Sequence, residues 1–388
     1  MLKILASADY HLGMKFAGYP SVQEELAEAR FLSLKRLVDR ANELGCALFL
    51  IAGDLFDRVS VSAKDVGRAA ELLNGFQGPL VAVLPGNHDF YGGSSGSLWS
   101  RFGEAAGDRI LLLQDPGVYD LNHYDLKILL YAGPCDSKHS RSSAISWLED
   151  TAVQGQYIEA NREALRIGVA HGSVEGVSPD AQGLYFPMTH KQLDEAPVDL
   201  WIIGHTHRQH PSEIKGIKVS SAAPPPVLIP GTPEPDGFDC RHGGTALMIE
   251  ADENKQIRLE SLSAGTYLFV REEHTLEGAQ DLQRLVKELR SVRFRGADQA
   301  ATLLRLTLRG RLETEQLLEL RRHLADAEKS FFYTQIDDSG LLERISEQTV
   351  EAEFTERSFP YRLLKRLIAN KDFEALQTAY ALLQEQKR

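Results

Sequence analysis

Residues 48–57 read Leu-Phe-Leu-Ile-Ala-Gly-Asp-Leu-Phe-Asp, a short apolar run that ends in a glycine and two carboxylates. Apolar runs of about four to eight residues that end at turn residues are typical of buried β-strands. We therefore predict a strand over Ala47–Ala52, with Asp54 and Asp57 just beyond its carboxyl end. This stretch decides the fold because the same arrangement recurs along the chain.

Four further apolar runs predict strands of the same kind: Lys3–Ser7, Leu80–Leu84, Leu165–Ala170 and Leu200–Ile203. Between the first two strands, Ser21 with Glu24 predicts a capping box, and Gly45 predicts the end of the helix. A second helix is predicted from Ser62 to Gly75. Strands alternating with helices indicate an α/β fold with a mostly parallel sheet covered by helices.

Each predicted strand is followed at once by side chains of types that bind metals. They are Asp9, His11, Asp54, Asn87, His171, His205 and His207. Ligands of open α/β sheets bind outside the carboxyl ends of the strands, so we expect these side chains to converge. Oxygen and imidazole ligands without thiolates favour manganese, iron or zinc. Seven ligands suffice for two ions if one carboxylate bridges them, and ion pairs about 3.5–4 Å apart serve phosphate-ester displacement.

In this order the motifs resemble those of the calcineurin-like metallophosphoesterase superfamily: D-x-H at 9–11, G-D-x-x-D at 53–57, G-N-H-D at 86–89, His171, and G-H-x-H at 204–207. The DYHLG stretch at 9–13, GDLFD, and PGTPE at Pro230–Glu234 further resemble the DNA double-strand-break repair exonucleases, the SbcD-like nuclease subunits. The resemblance implies an α/β sandwich of two sheets flanked by helices, a dimanganese centre, a capping domain and a coiled-coil ATPase partner of the SbcC type.

The resemblance also implies a role for each residue of the motifs. It assigns Asp9, His11 and His207 to the first metal, Asn87, His171 and His205 to the second, and Asp54 to a position between them. Two divalent ions, Mn²⁺ before Fe²⁺ or Zn²⁺, would activate a hydroxide for attack on phosphorus. We expect His88 to be the acid that serves the leaving oxygen, and Asp57 to orient it. Asp89 is expected to fix the loop.

Two departures from the nuclease pattern keep other functions open. The chain reads Arg58-Val59-Ser60 after GDLFD, where many nuclease members have a proline-serine pair, and it has PGT where nucleases often have PGS. The enzymatic alternative is a phosphoesterase that acts on cyclic nucleotides, nucleotides or phosphoproteins. The second alternative is a DNA-binding scaffold whose metal site is structural.

The composition argues against several other classes of protein. Hydrophobic residues make up 43% and charged residues 25%, as in globular proteins. A formal net charge of −12 argues against a protein that coats nucleic acid by its overall charge. No apolar run approaches the roughly 18 residues of a membrane span, and the first residues do not resemble a signal peptide, so we expect a cytoplasmic protein without a membrane segment. Cys46, Cys135 and Cys240 are isolated, which favours neither a disulfide framework nor a zinc ribbon.

We expect three parts along the chain. Residues 1–265 form the catalytic domain, which a predicted hairpin of Thr245–Glu250 and Gln256–Leu262 closes. Residues 266–345 form a smaller α+β capping domain. Residues 346–388 form a helical segment that either docks the ATPase partner or covers its own domain. A homodimer is expected by analogy with nuclease relatives.

Nucleic-acid contacts are predicted at two places. Residues 284–311 carry eight basic and two acidic side chains, a local charge of +6, which suits DNA phosphates. Arg290, Arg293 and Arg295 are the candidates in this run, although a solvated helix and strand face would have the same composition. Arg58 is the candidate beside the metal motifs.

Overall fold

The computed structural model describes residues 1–93, 97–149, 163–219, 224–240 and 242–386. They form two compact units, Met1–Phe269 and Val270–Arg388. None of the helices in the described ranges combines the length and the apolar character that a bilayer crossing requires.

The first unit contains twelve strands and four helices among its described residues. The strands are β1 (Leu2–Ser7), β2 (Leu48–Ala52), β3 (Leu80–Leu84), β4 (Ile110–Leu112), β5 (Gly117–Asp120), β6 (Ile128–Gly133), β7 (Leu165–His171), β8 (Leu200–Gly204), β9 (Lys215–Val219), β10 (Val227–Leu228), β11 (Thr245–Ala251) and β12 (Ile257–Ser263). The helices are α1 (Gln23–Leu44), α2 (Ala63–Asn74), α3 (Leu98–Ala105) and α4 (His190–Glu195).

These strands form two sheets, in the orders β4-β3-β2-β1-β11-β12-β9 and β10-β8-β7-β6-β5. Strands β1 to β4 pair in parallel, as do β6, β7, β8 and β10. The predicted hairpin is confirmed as the antiparallel pair β11 and β12. All five predicted strands that precede the metal motifs are confirmed, as β1, β2, β3, β7 and β8.

The two sheets pack face to face. Alternate residues of a strand contribute to two different apolar layers, one between the sheets and one beneath the helices. Leu48 and Leu50 of β2 point into the core between the sheets, where they join Ile167 of β7. Phe49 and Ile51 point the other way, into the layer formed with α1, α2 and α3. This period of two is what a strand imposes on its side chains. The predicted two-sheet sandwich flanked by helices is therefore confirmed.

The helix ends agree with the sequence in part. Ser62 caps α2 by accepting the Asp65 N–H at 3.1 Å. Gly45 ends α1 in the left-handed region, at φ 67°. The capping box predicted for Ser21 and Glu24 is wrong, because α1 has Val22 at its N-cap and no side-chain cap bond. Ser21 lies one residue too early to reach the free N–H groups of the first turn.

The second unit is a small α+β structure followed by helices. Its strands are β13 (Leu268–Leu276), β14 (Arg293–Phe294), β15 (Ala297–Asp298), β16 (Thr302–Leu312) and β17 (Tyr333–Glu343), and its helices are α5 (Ala279–Leu289), α6 (Thr314–Ser330), α7 (Glu347–Glu353), α8 (Phe359–Ala369) and α9 (Phe373–Glu385). The sheet has the order β13-β16-β17, and α6 connects the parallel pair β16 and β17. Helices α7, α8 and α9 bury Val350, Leu364 and Leu376 against one another.

Candidate metal centre

The candidate ligands lie at the carboxyl ends of five parallel strands, three from the first sheet and two from the second. Asp9, Asp54 and Asn87 follow β1, β2 and β3, while His171 ends β7 and the loop with His205 and His207 follows β8. Most of these side chains are buried, with Asp9 and His171 at 0% exposure. The sandwich therefore brings together all seven predicted ligands, although they span 199 positions of the sequence.

Two glycines allow the two sheets to approach each other at this point. A Cβ at Gly53 would lie 2.0 Å from Nδ1 of His171, and Gly53 also has a φ of +91°. A Cβ at Gly204 would lie 1.9 Å from the carbonyl oxygen of Ala52. The glycines before Asp54 and His205 are thus needed for the close approach.

The first group of ligands is Asp9, His11 and His207. Nδ1 of His207 lies 2.9 Å from a carboxylate oxygen of Asp236, so Nδ1 carries the hydrogen and Nε2 has a lone pair. This Nε2 lies 3.1 Å from Nε2 of His11. Oδ2 of Asp9 is buried and has no hydrogen-bond partner among the described residues.

The second group is Asn87, His171 and His205. Nδ1 of His171 donates to the carbonyl oxygen of Ala52 at 3.0 Å, which leaves Nε2 as its lone-pair atom in the neutral ring. That Nε2 lies 3.0 Å from Oδ1 of Asn87. Nδ1 of His205 lies 3.1 Å from the same oxygen.

Asp54 lies between the two groups. Its Oδ2 is 3.3 Å from Nε2 of His171 and 3.7 Å from Nε2 of His11. Its Oδ1 accepts the main-chain N–H of His88 at 2.8 Å. One carboxylate thus contacts ligands of both groups, as a bridging ligand must.

The donor atoms fit divalent cations. Carboxylate oxygens, an amide oxygen and imidazole lone pairs converge, and the ligand atoms of Asp9, Asp54 and His171 lie within 4.8 Å of one another, as do those of Asp9, His11 and His207. Buried acceptors that face one another without hydrogens are unfavourable unless positive charge lies between them. The two groups are therefore suited to two ions with oxygen and nitrogen ligands.

Burial and neighbouring charges shift the pKa values of side chains in the centre. Burial raises the pKa of Asp9 and lowers that of His205 to about 3. Burial also opposes protonation of His171, but the nearby Asp54 carboxylate raises the pKa of that ring to about 9. Protons therefore compete with metal ions for these ligands.

The main chain of the centre is strained. Asp9, His11, Asp54 and His205 all have positive φ, at 57°, 46°, 51° and 94°. Such conformations cost of order 1–3 kcal/mol each in residues other than glycine and cluster at functional sites. Four of the seven candidate ligands therefore lie in backbone conformations that the rest of the fold must hold.

His88 lies beside the ligands, and its ring is 4.7 Å from that of His11. Its Nδ1 lies 3.0 Å from the main-chain carbonyl oxygen of Asp57. The Asp57 carboxylate instead accepts from Nε of Arg58 at 2.8 Å. The sequence assigned the orientation of His88 to the carboxylate of Asp57, whereas in the structure the carbonyl of this residue makes the contact. Arg58, a predicted nucleic-acid contact, is half-exposed here.

Asp89 holds the loop, as predicted. Its carboxyl oxygens accept the main-chain N–H groups of Gly86 at 2.7 Å and Phe56 at 2.9 Å. Burial, followed by the charge of Asp54, raises the pKa of Asp89 to about 8.

The other predicted nucleic-acid residues lie in the second unit. Arg290 follows the end of α5 and is exposed, and Arg293 donates to the carbonyl oxygen of Gly296 at 2.8 Å. Arg295 pairs with Glu272 at 2.6 Å and Glu288 at 3.3 Å. The charge of Arg295 is therefore already paired within the second unit.

Sequence reasoning missed three residues that support the centre: Arg30, Thr232 and Asp236. Thr232 of the PGT loop donates to the main-chain carbonyl of Asp9 at 2.8 Å. Arg30 is fully buried, and it lies on the apolar face of α1 together with Leu26 and Leu34. A charged residue on the apolar face of a helix was the available signal.

Residues 2–209, more than half of the chain, match the family model described as "Calcineurin-like phosphoesterase". The uncharacterized metallophosphoesterase YhaO of Bacillus subtilis (strain 168) is 27% identical over 237 residues, which cover 59% of this chain and 52% of the relative. The match thus spans about half the length of that relative.

Two solved structures are also similar. TT1561 of Thermus thermophilus has 12% identity and a TM-score of 0.40, with 68% of this chain and 99% of that chain covered. A putative 5′-nucleotidase from Staphylococcus aureus has 15% identity and a TM-score of 0.41, with 68% and 54% covered.

Proposed function

Because the chain belongs to the calcineurin-like phosphoesterase family, we propose that it hydrolyses phosphodiester bonds of DNA as the nuclease subunit of a repair complex. The observation that carries the hydrolytic part is the convergence of two buried ligand groups on either side of Asp54, with His88 beside them. DNA as the substrate is supported by the motifs that resemble the SbcD-like nucleases.

Asp9, His11 and His207 would hold one divalent ion, and Asn87, His171 and His205 would hold the other, with Asp54 shared. When bound, two such ions, for which we propose Mn²⁺, supply positive charge to the phosphate ester and lower the pKa of a bound water.

Side chains beside the ligands would donate a proton to the leaving group and bind a phosphate of the substrate. The carbonyl oxygen of Asp57 can only accept, so Nδ1 of His88 carries the hydrogen and Nε2 is the atom that exchanges a proton. His88 with Nε2 protonated would give that proton to the leaving oxygen of the cleaved strand. Arg58, held by the Asp57 carboxylate, would bind a neighbouring phosphate through its exposed part.

A cleft of about 950 Å³ supports a substrate larger than a single phosphate group. His205 and His207 line it at the metal centre, and Arg208 and Gln209 line it further along. Arg208 is exposed and offers a guanidinium to a phosphate. We propose that a stretch of nucleic-acid strand lies in this cleft.

The roles of the remaining residues follow the same proposal. Residues 266–345 would act as a cap that restricts which DNA ends enter, and residues 346–388 would dock a coiled-coil ATPase. We propose a cytoplasmic location and a homodimer for the complex. Co-purification of the full chain with such an ATPase, lost when Phe359 and Leu382 are replaced by serine, would test the docking role, because both side chains are exposed at 69% and 58%.

The substrate is tested with the full chain after chelation and reloading with Mn²⁺. We expect nucleotide release from end-labelled duplex DNA, and turnover of bis(p-nitrophenyl) phosphate as a small diester. Cyclic nucleotides, mononucleotides and phosphopeptides form the comparison set. Turnover of that set alone would contradict the nuclease proposal, and Mn²⁺ binding without any turnover would favour the scaffold alternative.

A further inference from the structure

Asp236 lies outside the five motifs, yet its carboxylate contacts side chains around one half of the metal centre. One oxygen lies 2.9 Å from Nδ1 of His207 and 3.9 Å from Nη2 of Arg30. The other oxygen accepts from the thiol of Cys240 at 3.2 Å. Only 15% of the Asp236 side chain is exposed, so these contacts replace most of its water.

Arg30 connects the same carboxylate to the first loop. The Arg30 side chain is 0% exposed, and its Nη1 donates to the main-chain carbonyl of Tyr10 at 2.6 Å. Tyr10 stands between Asp9 and His11, two ligands of the first group. Nε and Nη2 of Arg30 have no hydrogen-bond partner among the described residues, and the Asp236 carboxylate forms an ion pair with Nη2 at 3.9 Å. A buried guanidinium needs such a negative partner.

We infer that Asp236 is a positioning residue, which fixes the ring of His207 so that its Nε2 lone pair faces His11, and that Arg30 joins Asp236 to the Asp9–His11 loop. Histidines that bind metals commonly donate their second ring N–H to a carboxylate, which sets the tautomer and strengthens the ligand. The inference rests on the proposed metal centre and is independent of the substrate.

The second half of the centre has a different support. Nδ1 of His171 donates to the main-chain carbonyl of Ala52 at 3.0 Å, and no contact of Asp236 reaches this ring in the described part of the chain. A change at Asp236 should therefore weaken one ion selectively.

The test measures metal binding by the full chain stripped with chelator and titrated with Mn²⁺, using calorimetry for affinity and electron paramagnetic resonance for free ion. We expect two ions in the natural sequence. Asp236→Ala should weaken one of them by about 10–100-fold and leave the other unchanged. Asp236→Asn should give a smaller loss at the same ion, because its amide oxygen accepts the hydrogen bond without the charge.

Glu28→Ala is the matched control. Glu28 lies on α1, as Arg30 does, and it pairs with Arg68 at 2.6 Å on the surface, so its loss should change neither ion. Tryptophan fluorescence checks folding, and Asp236→Asn, which keeps the side-chain volume, carries the test if Asp236→Ala does not fold. Unchanged binding of both ions in the folded variants would overturn the inference. Failure of the natural sequence to bind Mn²⁺ at all would overturn the proposed function instead.

Discussion

The ring of His88 is held by the main chain of Asp57, through a contact of 3.0 Å between Nδ1 and the carbonyl oxygen. A main-chain acceptor survives every substitution of the Asp57 side chain. A substitution of the Asp57 side chain should therefore leave the orientation of the His88 ring unchanged. If the carboxylate of Asp57 made this contact, the same substitution would remove it.

Replacing His88 by alanine should lower kcat about 10²- to 10⁴-fold, the contribution expected of a general acid. Mn²⁺ binding should be nearly unchanged, because the contact of this residue with Asp54 uses its main-chain N–H. Steady-state kinetics on bis(p-nitrophenyl) phosphate and Mn²⁺ calorimetry provide the two readouts. Asp57→Asn should lower kcat much less than His88→Ala, and equal losses in the two variants would show that the carboxylate orients the ring after all.

Gly53→Ala should disrupt the metal centre without replacing any ligand, because the change lies at a main-chain position beside the His171 ring. The new Cβ would lie 2.0 Å from the His171 ring, at a φ of +91° that costs alanine about 1–3 kcal/mol. We expect a lower free energy of unfolding in urea and weaker Mn²⁺ binding at the ion that His171 holds. Gly67→Ala is the control, because that glycine lies in α2 with nothing within 4 Å of its Cβ position, and alanine there should stabilise by roughly 0.5–1 kcal/mol. A Gly53→Ala protein as stable as the control would contradict the close approach.

The buried carboxyl group of Glu234 should make the stability of the protein depend on pH. It is 1% exposed, and burial raises the pKa of its carboxyl from 4.5 to about 7, although the N–H groups of Thr266 and Tyr267 oppose this. The folded state thus binds this proton more tightly than the unfolded state does. The contribution of the proton to the free energy of unfolding is fully present below about pH 4.5, and it is lost as the pH rises through about 7. Over this pH range the free energy of unfolding should decrease by at most about 3 kcal/mol.

Tryptophan fluorescence during urea unfolding measures this effect, since Trp99, Trp147 and Trp201 all lie in the first unit. Glu234→Gln should flatten the dependence between about pH 5 and 8, because its side chain does not titrate. The same slope in both proteins would assign the pH dependence to other groups.

Replacing single arginines of the second unit should distinguish how much each of three arginines contributes to DNA binding. Arg290→Ala and Arg293→Ala should each weaken DNA binding and reduce its salt slope by about one. Arg295→Ala should change the slope less, because that guanidinium already pairs with Glu272 and Glu288. Affinities measured by fluorescence anisotropy from low to moderate salt give the slopes. Identical slopes in all variants would mean that these charges face solvent only.

Local sequence signals predicted the strands and the motif loops because each signal lies within a few residues. The strand Leu80–Leu84 was predicted with the bounds that the structure has. The short helix Glu347–Glu353 lies within the predicted helical segment 346–388, but its bounds were not predicted, since about two turns leave little periodicity to detect. The β14–β15 turn at Arg295-Gly296 was missed as well, because only two residues pair on each side.

The supporting residues of the centre could not be predicted because their contacts join distant parts of the chain. Arg30 and Asp236 are separated by 206 positions, and nothing in the sequence spacing relates them. The same holds for the Asp57 carbonyl, since every residue carries one and only the loop geometry selects it. Motifs therefore identified the ligands, whereas the side chains that orient them required coordinates.

The division of the ligands between two sheets has a consequence for how the protein matures. Asp9, His11, Asp54 and Asn87 are synthesised well before His171, His205 and His207, and a ribosome-bound chain that ends between them holds only four of the seven candidate ligands. Each of the two ligand groups thus stays incomplete until both sheets of the sandwich have formed. Binding of metal ions at either group would then report a late step of folding, after the last ligands have been synthesised.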